Sequence, residues 1–126
     1  MVKNNVIVEK TKNFALRIIK LNRYLREEKN EWVLSKQILK SGTSIGANVK
    51  EAVRGQTKPD FYAKMNVALK EASETEYWLE LLVGSGYIEE THYAGINDDC
   101  QEIIKLLVSI TKSQKEGDGV TNNGKE

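Results

Sequence analysis

Lys40-Ser-Gly-Thr-Ser-Ile-Gly-Ala-Asn48, KSGTSIGAN, puts two glycines, two serines, a threonine and an asparagine into nine residues, the composition of a loop. Its flanks argue otherwise. Leu34, Ile38, Ser41, Ile45, Asn48 and Ala52 recur at alternating intervals of four and three, the stripe of an amphipathic helix, and that stripe runs straight through the stretch. Inside a helix each glycine costs about 1 kcal/mol relative to alanine, so two of them call for a compensating close approach. Gly42 and Gly46 lie four apart on one face, which continues to Leu39, Val49 and Val53. A helix with two adjoining small or apolar stripes is buried on two sides, in its own bundle or against another subunit. The subunit contact is the favoured expectation, with Asn48 on the core seam as a register-fixing polar residue. A phosphate-binding loop is excluded by the absence of the Gly-x-x-x-x-Gly-Lys-Ser/Thr order and of a preceding strand. Lys36, Lys40 and Lys50 exclude a membrane-embedded Gly-x-x-x-Gly dimer face.

The same period appears on both sides. Ile7, Thr11, Phe14, Ile18, Leu21 and Leu25 form a first stripe, ending before the charged link Arg26-Glu-Glu-Lys-Asn30. A third contains Phe61, Met65, Ala68, Ala72, Thr75, Leu79 and Leu82, and a fourth Tyr93, Ile96, Cys100, Ile103, Leu107 and Ile110. Between the second and third stripes, Gly55 suits a helix end, Thr57 with Asp60 resembles a capping box and Pro59 fits a first turn; Gly84-Ser-Gly86 stops the third. The expected fold is all-α: an antiparallel up-down-up-down four-helix bundle over residues 1–114 with short loops, followed by a disordered tail over 115–126.

At 126 residues the chain is one domain, with 40% hydrophobic and 29% charged residues, one proline and one cysteine. No apolar run is long enough for a membrane span, and Met1-Val-Lys-Asn-Asn5 lacks the apolar block of a secretion signal, so a cytoplasmic protein without membrane association is expected. A lone Cys100 forms no intrachain disulfide. The net charge of +1 hides a segregation: residues 1–70 hold 15 Lys and Arg against 6 acids, residues 71–126 hold 4 against 12. Such halves either present a basic face to nucleic acid, attract one another between subunits, or simply neutralise within one bundle.

The remaining face of the second helix is basic. Lys36, Lys40, Thr43, Ala47, Lys50 and Arg54 follow one another at helical spacing with no acid among them, a ridge about 27 Å long by helix rise. Arg17 and Lys20 add cations from the first helix, and Tyr24 and Trp32 are aromatic candidates for stacking on bases. Clustered cations of this kind neutralise backbone phosphates, giving salt-sensitive binding with weak sequence preference. Catalysis has little to draw on. His92 and Cys100 are eight residues apart, about 12 Å by rise, too far for a thiolate–imidazole pair within one chain. Glu89-x-x-His92 is half of a di-iron carboxylate signature that needs two such motifs, and the chain has one histidine. No enzyme, metal or cofactor is expected. Glu76 borders the third stripe beside Leu69 and Val83, with Asn48, Ser44, Arg54 or another chain as candidate partners.

Ser44-Ile-Gly-Ala-Asn-Val-Lys-Glu-Ala52, followed by Phe61, Ala68-Leu69, Glu74-Thr-Glu76 and Leu79, resembles the four-helix-bundle proteins related to those encoded by intervening sequences of bacterial 23S rRNA genes. The resemblance covers about residues 6 to 114. Gly46 stands where the family often has proline, and Ala52 where glycine is common. The resemblance implies a bundle assembling as a cyclic homo-oligomer, typically a pentamer, without established enzymatic activity and with a poorly defined role. Similar accessory proteins of diversity-generating retroelements bind nucleic acid and a protein partner, a reverse transcriptase. It also implies that Ser44, Asn48, Glu51, Glu74 and Glu76 order the bundle and its subunit contacts. RNA or DNA, a protein partner and a second copy of the chain are therefore the expected partners.

Overall fold

A computed structural model describes residues 2–125, with side chains over 6–114. The chain forms four helices: α1 (Val2–Lys29), α2 (Leu34–Val53), α3 (Lys58–Gly84) and α4 (Glu90–Lys125), with no strand among the described residues. KSGTSIGAN lies wholly inside α2. The tail expected over 115–126 falls outside the residues whose side chains are described.

Contacts between helices fix their directions. Asn22 of α1 donates to the Ser35 carbonyl of α2 near their joint (2.8 Å), whereas Gly46, further along α2, faces Thr11, further from the joint in α1. Ser41 meets Thr75 and Glu51 meets Lys64 between α2 and α3, and Cys100 of α4 reaches Ala72 of α3. Tyr24–His92, Arg17–Asp99 and Lys10–Glu102 run in opposite order along α1 and α4. Each helix is thus antiparallel to the next in a closed ring. Contact is most extensive between α2 and its two neighbours and thinnest between α1 and α4.

All six residues of the first stripe are buried. So are Met65, Ala68, Ala72, Thr75, Leu79 and Leu82 of α3, and Ile96, Cys100, Ile103 and Leu107 of α4. In α2 the seam differs from the expected one. Ser35, Ile38, Gly42, Ile45, Val49 and Ala52 form an unbroken three-four repeat of buried residues, with Ser41 beside it. Asn48 is only half-buried, its amide donating to the Ser44 carbonyl (2.8 Å) within the same helix. The cause is the position of α2 between α1 and α3, which buries a wider arc than one neighbour would. The polar groups within that arc are satisfied: Thr75 Oγ1 and Ser41 Oγ hydrogen-bond at 2.9 Å.

The joints follow local chemistry. Thr57 accepts from the N–H of Asp60 (3.2 Å), with Pro59 in the first turn of α3. Gly86 takes the left-handed conformation (φ 83°) that turns the chain from α3 into α4. At the α1/α2 corner Asn30 supplies the left-handed residue (φ 52°), and the N–H of Glu31 reaches back to the Leu25 carbonyl (2.9 Å). Val33, which leads into α2, contributes no side-chain cap. The buried Glu31 carboxylate does so instead, accepting from the N–H groups of Val33 (3.2 Å), Leu34 (2.9 Å) and Ser35 (2.7 Å).

Candidate nucleic-acid interface

The outer side of α2 carries Lys36, Lys40, Lys50 and Arg54, all exposed and none paired with an acid among the described residues. Glu51 is the acid nearest in sequence, and it is turned to Lys64 of α3 (3.2 Å). Between this ridge and α1 runs a groove of about 190 Å³ lined by Val8, Lys12, Ala15, Thr43, Gly46 and Lys50. Lys12 and Lys50 thus flank a shallow floor of small residues. The α2 helix holds the cations in line because its opposite side is locked into the core at Ile38, Ile45 and Val49.

The glycines admit α1 of the same chain, one of the two burials expected for this helix. A Cβ at Gly42 would stand 2.8 Å from both Cγ1 and Cγ2 of Ile18, and one at Gly46 would stand 3.3 Å from the Thr11 carbonyl oxygen. Their function is to let two helices approach inside one bundle.

The α1 cations divide. Lys20 is exposed and pairs with no acid among the described residues. Arg17, expected beside it as a phosphate ligand, is tied to α4 instead: Nη1 donates to Asp99 (2.7 Å) and to the Gly95 carbonyl (3.3 Å). Any side chain at position 95 would meet the guanidinium, since a Cβ there would lie 2.7 Å from Nη2. Lys10 is similarly joined to Glu102 (2.8 Å). Both pairs are close to half exposed, so they contribute little to stability, of the order of 1 kcal/mol or less.

The glutamates of α3 do not gather into one site. Glu74 accepts from the Trp78 indole (3.3 Å) at the surface. Glu76 is half-buried and near enough to Tyr93 and Cys100 of α4 to act on both through its charge. There its charge, after burial and together with Glu80, raises the pKa of Tyr93. Ser44 contributes its backbone carbonyl to Asn48.

Cys100 and His92 point to different neighbours. The Cys100 thiol is buried against the Ala72 carbonyl (3.5 Å), whereas His92 packs edge-on to Tyr24 of α1 (5.9 Å between centroids). Burial, reinforced by Glu76 and Asp99, pushes the thiol up to about 12. At pH 8 its thiolate fraction is therefore about a thousandfold below that of an ordinary cysteine. Folded protein should leave a thiol reagent unreacted at that pH and react stoichiometrically in denaturant; native labelling at the free-cysteine rate contradicts this burial. Among the described residues no group of His, Cys, Asp and Glu is placed to hold a metal ion, and no helix is long and apolar enough to cross a membrane.

This arrangement of four antiparallel helices can be set beside known proteins. Residues 3–109 match the family described as 23S rRNA-intervening sequence protein. The chain belongs to that family. A member of the S23 ribosomal protein family from Bacteroides thetaiotaomicron, of unknown function and known from a crystal structure at 1.70 Å resolution, is 55% identical to the chain. The match covers 87% of this chain and 98% of that one, with a TM-score of 0.86. No curated protein matches. Intervening-sequence membership agrees with the resemblance carried by Ser44–Ala52 and Glu74–Glu76, and the solved relative extends it to the whole bundle.

Two features of this family member escaped the sequence reading. Glu31 carried no capping-box signal, because that pattern looks for Ser or Thr at the cap and an acid inside the helix; here the acid precedes it and the serine, Ser35, lies within. Gly95 gave no hint of its partner, Arg17, 78 residues away.

Proposed function

We propose that the protein is a cyclic homo-oligomer, with the pentamer as the closure implied by its family. It has no catalytic chemistry of its own and binds RNA or other nucleic acid through Lys36, Lys40, Lys50 and Arg54, joined by Lys20 of α1. The observation that carries this reading is the row of four exposed cations on a rigid helix, with the nearest acid, Glu51, paired to Lys64 of α3 and not to them. Held at fixed spacing, such a row meets successive phosphates without having to be ordered on binding. Assembly into a ring is supported by the segregation of charge between the two halves of the sequence, which favours a head-to-tail contact, and by exposed apolar side chains such as Val67 and Tyr77 of α3. Membership of a family defined by 23S rRNA intervening sequences makes single-stranded RNA the first probe.

Titration of a fluorescent RNA across salt concentrations should give binding at low salt and an association constant falling linearly with salt on logarithmic axes. Light scattering on the same preparation should give a multiple of 14.3 kDa. An affinity indifferent to salt, or none at low salt, contradicts the electrostatic mechanism. A second reading, a scaffold for a protein partner, is favoured by Trp32 and Val33, exposed at 59% and 70% on the α1/α2 corner. Under it, reversing the four ridge charges abolishes capture of the partner and leaves RNA behaviour unchanged.

A further inference from the structure

We infer that the open seam between α1 and α4 is a base-accepting site for single-stranded nucleic acid, separate from the α2 ridge and resting on the reading of the protein as a nucleic-acid binder. The seam holds a groove of about 510 Å³, within the range of ligand-binding clefts. It stays open because α1 and α4 make the thinnest contact of the ring, bridged at the surface by the Lys10–Glu102 and Arg17–Asp99 pairs.

The wall of the groove is aromatic. Tyr24 and His92 meet edge to face, with centroids 5.9 Å apart and planes at 77°, above a floor that includes Leu16 and Leu21. Cations surround the rings. Lys20 stands at the rim, exposed, and Lys29 lies 5.9 Å from the centroid of the Tyr24 ring. Arg17 lines the groove with its guanidinium held by Asp99 and the Gly95 carbonyl, so its charge is met within the bundle and Lys20 supplies a groove cation that pairs with no acid among the described residues. Asn13 adds an exposed amide able to donate and accept. A base stacked on an aromatic side chain, with its phosphate beside a lysine, is the recurring unit of single-strand binding, and this groove supplies both halves.

Continuing past the groove along the same end of the bundle, Trp32 is exposed, with the Arg26 guanidinium 5.7 Å from its ring centroid. A second aromatic with its own cation thus lies beyond Tyr24. This arrangement fits a flexible strand of unpaired bases better than a duplex, whose bases are already stacked.

The test compares the full-length protein on two fluorescent RNAs of equal length and charge, one normal and one with abasic sites, across the same series of salt concentrations. Wild type should bind the base-bearing strand about tenfold or more tightly. Tyr24→Leu, checked for helical content and for mass by light scattering, should lose that preference while keeping the salt dependence, because no charge is removed. His92→Leu gives a second reading of the same wall should Tyr24→Leu fail to fold. Equal binding of the two strands by wild type, or a preference that survives in the folded variants, overturns the base site and leaves the ridge intact. Binding of neither strand at low salt overturns the nucleic-acid reading and the site together. A folded Tyr24→Leu protein that has fallen to a smaller species identifies the groove as a subunit contact and overturns the inference.

Discussion

Gly42→Ala should destabilise the protein, although alanine is the better helix former. Propensity favours the substitution by about 1 kcal/mol in a helix interior. Against it stands the new methyl group, 2.8 Å from two carbons of Ile18, a fully buried residue. Ile18 is β-branched and held to one preferred χ1 rotamer in a helix, so it cannot swing aside and the helices must part. Overpacking of this kind costs about 1 to 3 kcal/mol, so Gly42→Ala should lose a net ~1 kcal/mol and Gly42→Leu about 3 kcal/mol or more. Removing the obstacle reverses the sign. In an Ile18→Ala background, Gly42→Ala should stabilise by up to about 1 kcal/mol, the propensity gain alone. Urea unfolding followed by circular dichroism measures all four corners of that cycle. Gly84→Ala is the control, because a Cβ there meets nothing within 4 Å. A Gly42→Ala protein as stable as wild type would contradict the close approach on which the α1/α2 packing rests.

Glu31→Ala should cost about 2 to 3 kcal/mol, more than an ordinary helix cap. Its carboxylate serves three N–H groups of the first turn of α2 at once, and the Ser35 N–H among them is buried, so water does not replace the lost acceptor there. A negative charge at a helix N-terminus adds to this through the aligned peptide dipoles. The corner is also cross-linked: Ser35 Oγ donates to the Glu31 carbonyl (2.8 Å), Asn22 donates to the Ser35 carbonyl, and Arg26 donates to Asn22 (2.9 Å). Glu31→Gln keeps one acceptor oxygen and loses the charge, so it should fall between wild type and alanine. Because the cap holds the start of α2, native-state hydrogen exchange at Leu34 and Ser35 should accelerate in Glu31→Ala before the rest of the helix is affected. An alanine variant within 0.5 kcal/mol of wild type, judged against the usual scatter of surface substitutions, would show that the corner holds itself without the carboxylate.

These two sites also mark where sequence reading stops. The stripe from Ile7 to Leu25 gives the buried face of α1, since each residue on it is buried, but not its end. The helix continues to Lys29 through the charged residues expected to form a link, because solvated charges are compatible with helix. The third stripe does nearly as well for the face of α3. In these helices one neighbour-facing arc dominates, and periodicity reports it directly. In α2 two arcs overlap. Val49 and Gly42 belong to the core and Asn48 does not, a shift of one position that spacing alone does not resolve when both arcs are small or apolar. That glycines demand a close neighbour was legible; which neighbour was not, because Ile18 and Gly42 are joined only by the fold. The ridge cations were readable for the opposite reason: they lie on one face of one helix, where helical spacing is sufficient. Arg17 resembled them in sequence, yet its acid, Asp99, lies 82 residues away on a helix that returns alongside it. The α1/α4 groove had no sequence signal beyond Tyr24, since it exists only because two helices stand apart.

The ridge is the centre of the functional account, and its number of charges sets a quantitative expectation. Each cation that neutralises a phosphate of a single strand contributes about 0.7 to the slope of log affinity against log salt. The variant carrying Lys36→Gln, Lys40→Gln, Lys50→Gln and Arg54→Gln removes four exposed cations that make no ion pair among the described residues, so the bundle should remain folded. Salt titration of single-stranded RNA against wild type and this variant is the most direct measurement. A slope shallower by about 2 to 3 in the variant, with affinity lost chiefly at low salt, is the expected result; identical slopes for the two proteins would contradict the ridge as the nucleic-acid surface.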